Sequence, residues 1–65
     1  MDKAKLTEFI KENHWLLLFT RTRRKTQDVY LTPAGALVDV WSVGDKVFAV
    51  NTVFSVGEQH VLRTH

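Results

Sequence analysis

Residues 40–49 read VWSVGDKVFA, and residues 53–62 read VFSVGEQHVL. The two stretches align at a period of thirteen: Val40 with Val53, Trp41 with Phe54, Ser42 with Ser55, Val43 with Val56, Gly44 with Gly57 and Asp45 with Glu58. Two copies are too few for a solenoid. They read as two β-hairpins sharing one turn chemistry, a glycine at the first central position followed by an acid, which suits a type II′ turn. Between the turns lies one long strand, 46–56, expected at the centre of a sheet.

Working back toward the N-terminus, "PAG" at 33–35 is a further turn, with Pro33 presetting φ and Gly35 closing. "VYLT" is a short strand, and "KTQD" before it is expected to turn the chain. "HWLLLFTRTRR" (14–24) begins as an apolar run and becomes an alternation of Thr with Arg. That pattern predicts a strand buried on both faces at one end and emerging into solvent at the other. Residues 3–12 read differently: Leu6, Phe9 and Ile10 lie at i, i+3 and i+4, with Asp2 suited to cap the start and Asn13 the end. A helix of this length does not survive alone, so its apolar stripe must lie on the sheet.

The expected fold is therefore α+β: a short N-terminal helix packed on a four- or five-stranded antiparallel meander. Its strands fall near 14–24, 28–32, 36–43, 46–56 and 59–64, and a curled, partly open barrel is the variant. Sixty-five residues make a single domain, 1–65, which buries only about 60% of its unfolded surface. The absence of cysteine excludes disulfide staples, leaving an apolar sheet or a partner chain to supply stability. Parity puts Phe48, Val50, Thr52 and Phe54 on one face of the long strand and Val47, Ala49, Asn51 and Val53 on the other. In strand 36–43, Ala36, Val38 and Val40 oppose Leu37, Asp39, Trp41 and Val43. Neither face is polar, and one short helix covers only one of them. Barrel curling or a homodimer is expected to close the second.

Charge is concentrated. Lys3, Lys5 and Lys11 cancel Asp2, Glu8 and Glu12, and residues 27–65 carry a slight acidic excess. The whole positive balance sits in "TRTRRKT" (20–26). Arg forks match phosphate oxygens and Thr hydroxyls add hydrogen bonds to them, so Arg21, Arg23, Arg24 and Lys25 are the candidate contacts to a nucleic acid. The bland alternative is a strand end kept polar and guarded against edge association.

A second functional class uses the apolar surplus. Aromatic residues such as Trp15, Phe19, Trp41, Phe48 and Phe54 are expected in the core, with Trp41, Trp15 and Tyr30 as anchors for a protein partner if they lie on the uncovered face. Asp39, an acid within an apolar strand, is expected to pair with Lys46 or an Arg across a hairpin.

Catalysis finds little support. His14, His60 and His65 lack metal-ligand spacing, and no cofactor or metal is expected. A metal-free nuclease would need His14 or His60 beside Arg21 or Arg23; His14 is expected instead to satisfy carbonyls at the helix end. The longest apolar run, Trp15 to Phe19, is too short to span a membrane, and the N-terminus lacks the apolar core of a signal peptide. The expectation is a cytoplasmic, non-catalytic nucleic-acid-binding module, with a protein-interaction or inhibitor module as the alternative.

Overall fold

A computed structural model describes residues 1–55, with side chains through Thr52. One helix, α1 (Lys3–Glu12), precedes four strands: β1 (Leu16–Thr22), β2 (Thr26–Leu31), β3 (Ala36–Val43) and β4 (Lys46–Ser55). Each strand pairs antiparallel with the next, in the order β1-β2-β3-β4. The described sheet is thus an open meander carrying one helix, the α+β arrangement expected, and it is not closed into a barrel. The expected strand at 59–64 and the turn at Gly57 lie outside the described residues. β4 is the longest strand, but among the described residues it is an end strand of the sheet and not its centre.

Local chemistry sets the helix limits. Asp2 is the N-cap and its carboxylate accepts from the Ala4 N–H (3.1 Å). Asn13 is the C-cap; its side-chain amide donates to the Phe9 carbonyl (2.8 Å). His14 follows at φ +58°, a left-handed conformation that ends the helix, and its backbone N–H donates to the Lys11 carbonyl (3.2 Å). The end carbonyls are therefore met by Asn13 and by backbone, and not by the His14 imidazole. At the other end, the Val47 N–H donates to the Met1 carbonyl (2.8 Å), the Met1 nitrogen donates to the Val47 carbonyl (3.1 Å), and the Lys3 N–H donates to the Asp45 carbonyl (2.8 Å). These bonds stitch the chain start to the outer edge of β4.

Turn residues behave as their chemistry dictates. Gly44 has φ +59° whereas Asp45 does not have positive φ, which identifies the β3–β4 connection as type II′. The Gly35 N–H donates to the Thr32 carbonyl (2.9 Å) and Gly35 sits at φ +85°, closing a three-residue loop begun by Pro33. The first turn is earlier than expected. It lies at Arg23–Lys25, and Thr26 and Gln27 already belong to β2 because Thr26 pairs with Thr22 and Gln27 with Arg21.

Alternation and register sort the faces. On one side stand Leu17, Tyr30, Val38 and Thr52; then Thr20, Asp28, Val40 and Val50; then Thr22, Thr26, Ser42 and Val47. The helix covers this side, packing Leu6 and Ile10 on Val40 and Val47, with Trp15 and Tyr30 against the same cluster. Strict parity places Val47 on the face opposite Val50. A bulge corrects that reading: Ser42 pairs with Val47 and Trp41 with Ala49, so Phe48 has no partner and Val47 turns to the helix.

Burial departs from expectation along β1. All seven of its residues are exposed, Leu16 at 59%, so the apolar run is not buried on two faces. Among the described residues β1 lacks a neighbour on one edge, and the helix lies over β3 and β4. Phe19 and Phe48 are likewise exposed and not core, and Phe9 of the helix stripe is half exposed. Among the described residues the core is consequently small: Leu6, Ile10, Val40 and Val47, with Val29 and Val38 in the inner strands. Truncating Ile10 to Ala should cost about 2–5 kcal/mol, a large part of what so small a domain holds, read as a lower urea midpoint by circular dichroism.

Candidate nucleic-acid interface

The sheet's other side carries no helix among the described residues, and its rows run across all four strands. Arg21 pairs with Gln27, Gln27 with Trp41, and Trp41 with Ala49. One row further along, Phe19, Val29, Asp39 and Asn51 are partners in the same way. Beyond Arg21 the chain turns through Arg23, Arg24 and Lys25, which are exposed. A hollow of about 600 Å³ is lined by Arg21, Arg23, Arg24, Lys25, Gln27 and Trp41. The structure thus gathers all four expected cations around one concave surface, and it adds Trp41 and Gln27 to them.

These cations are held loosely. Among the described residues the one ion pair is Lys3 with Asp28 (3.5 Å), so none of the four is folded back onto a carboxylate. Lys25 lies over the Phe48 ring, 5.7 Å from its centroid, using the side chain that the β4 bulge leaves without a cross-strand neighbour. The result is a positive rim on an otherwise nearly balanced chain, with no ion pair from these four cations to a carboxylate among the described residues.

Trp41 is held more firmly. Its indole Nε1–H donates to Asp39 Oδ2 (2.9 Å), and Gln27 Nε2 donates to the same oxygen (3.2 Å). Asp39 is only 8% exposed, and its Oδ1 has no partner among the described residues. The expected pairing of Asp39 with Lys46 or an Arg is therefore not what forms; two neutral donors serve it instead. Gln27 was not a candidate from sequence, because its nearness to Trp41 follows from strand register alone.

Trp15 and Tyr30 stand on the covered side. Trp15 meets Phe9 edge-on at 5.6 Å and Tyr30 at 6.2 Å, closing the end of the core beyond the helix. Burial, and after it the neighbouring Asp28 carboxylate, raise the Tyr30 phenol above its ordinary pKa. Asp28, 6% exposed, takes the Thr20 hydroxyl (2.7 Å) and Lys3, and so ties β1 and the helix start to β2.

The nuclease constellation does not assemble among the described residues. His14 precedes β1 and Arg21 is its next-to-last residue, which separates them by roughly 20 Å at the rise of an extended strand; His60 and His65 lie outside the described residues. No group of three His, Cys, Asp or Glu side chains gathers as for a metal ion, and no helix is long and apolar enough to cross a membrane, both among the described residues.

No family model matches the chain, and no curated protein or solved structure matches it either. The hollow is accordingly defined by its own residues. Replacing Asp39 by Ala should leave the Trp41 and Gln27 donors unpaired and cost about 1–3 kcal/mol, with a red shift of Trp41 emission as the indole loosens into solvent.

Proposed function

We propose that the protein is a non-catalytic nucleic-acid-binding module whose basic tip, Arg21, Arg23, Arg24 and Lys25, contacts phosphates. The observation that carries this reading is the convergence of all four cations on one hollow, with no ion pair to a carboxylate among the described residues. Four phosphates neutralised release their counterions, giving a slope of log K on log salt of about −2.8 on a single strand to about −3.6 on a duplex. Affinity for an oligonucleotide should then fall about 50- to 150-fold between 50 and 200 mM salt. Replacing the four cations by Ala should abolish both the binding and its salt dependence, measured by fluorescence anisotropy. Flat anisotropy at low salt would remove the proposal.

A second reading rests on β1. Leu16, Leu17, Leu18 and Phe19 are exposed on a strand that has one neighbour among the described residues, and such an edge is a template for strand addition. We propose a second copy of the chain as the occupant. Antiparallel pairing of β1 with itself overlaps the apolar halves and sends the two Arg21 ends in opposite directions, whereas a parallel pair would crowd the cations. Light scattering should show a dimer that Leu17→Lys converts to monomer with the circular dichroism unchanged; a monomer at all accessible concentrations would rule it out.

A further inference from the structure

The hollow holds two kinds of surface, and phosphate binding explains only one of them. A ring of cations needs no aromatic wall, yet Trp41 forms part of this one. Its indole is oriented by a hydrogen bond to a buried carboxylate, and that carboxylate is steadied by a second donor from the neighbouring strand, Gln27. With the ring N–H already committed to Asp39, what Trp41 offers a ligand is its π-face. Arg21 stands two strands away in the same cross-sheet row, about 10 Å between backbones, a gap the extended Arg side chain narrows.

From this geometry we infer that Trp41 is a stacking platform for an unpaired base, so that the ligand of the basic tip is a single-stranded nucleic acid. The inference rests on the nucleic-acid reading above and narrows it. In a duplex the bases stack on one another, and their faces are closed to a side chain; in a single strand each base has a free face, and an aromatic ring accepts any of them. A fixed ring is the better platform because little of its motion is lost on binding. The open side of a β-sheet, with cations at its end and an aromatic ring within it, suits a strand laid across the surface and not a rod lodged in a groove.

The test uses the full chain carrying Trp15→Phe, so that Trp41 is the only tryptophan, and three probes: a twelve-nucleotide oligothymidylate, an abasic strand of the same length, and a duplex of twelve base pairs. At low salt the oligothymidylate should quench Trp41 emission and bind at least 5-fold more tightly than the abasic strand, the lower end of what one stacked base contributes. Trp41→Leu should bring the oligothymidylate down to the abasic level and leave the abasic strand unchanged. Trp41→Phe, which keeps an aromatic ring, should restore part of the difference and guards against a folding defect in the leucine variant. Equal binding of the two single strands without quenching overturns the stacking role and leaves the phosphate reading in place, as does tighter binding of the duplex. If no probe binds at low salt, the nucleic-acid reading itself fails and the inference goes with it.

Discussion

The arrangement depends on the seating of two helix side chains, Leu6 and Ile10, on Val40 and Val47. Among the described residues few other apolar groups are buried, so this contact supplies much of the burial seen there. It is available only because β4 bulges at Phe48. Without that extra residue Val47 would face away from the helix, and Ile10 would rest on a single valine. The bulge has a second effect, since it leaves Phe48 outside the ladder and under Lys25. One irregularity in pairing thus both completes the core and helps seat a cation at the tip.

Two buried acids divide the sheet between them. Asp28 belongs to the covered side and is met by a cation and a hydroxyl, which anchor the helix start and the outer strand to β2. Asp39 belongs to the open side and is met by an indole and an amide. A buried carboxylate requires donors wherever it lies. On the first side that requirement fixes the architecture, and on the second it fixes the orientation of an aromatic ring.

What could be read from the residues alone was local. The caps Asp2 and Asn13, the type II′ glycine at 44, the loop at Pro33–Gly35 and the cation cluster each follow from the chemistry of one to seven neighbouring residues, and each is where that chemistry puts it. Register was not legible. Nothing in VFAV marks Phe48 as unpaired, and a miscounted turn at 25–28 hid the fact that Gln27 lies between Arg21 and Trp41. Exposure of β1 escaped for a related reason, because a run of leucines reads as interior when strand order is unknown. The platform at Trp41 needed three strands in known alignment, and sequence supplies them one at a time.

β1 has an irregularity of its own. Its pairing with β2 slips between Leu17 and Phe19, so Leu18 is a bulge within the most apolar exposed stretch of the sheet. A bulged border twists sharply and interrupts the even row of amide and carbonyl groups that cross-β stacking needs. Leucine-rich though it is, this margin lacks at Leu18 the flat regularity that repeated stacking into a fibre requires, a regularity that one pairing of two edges does not need.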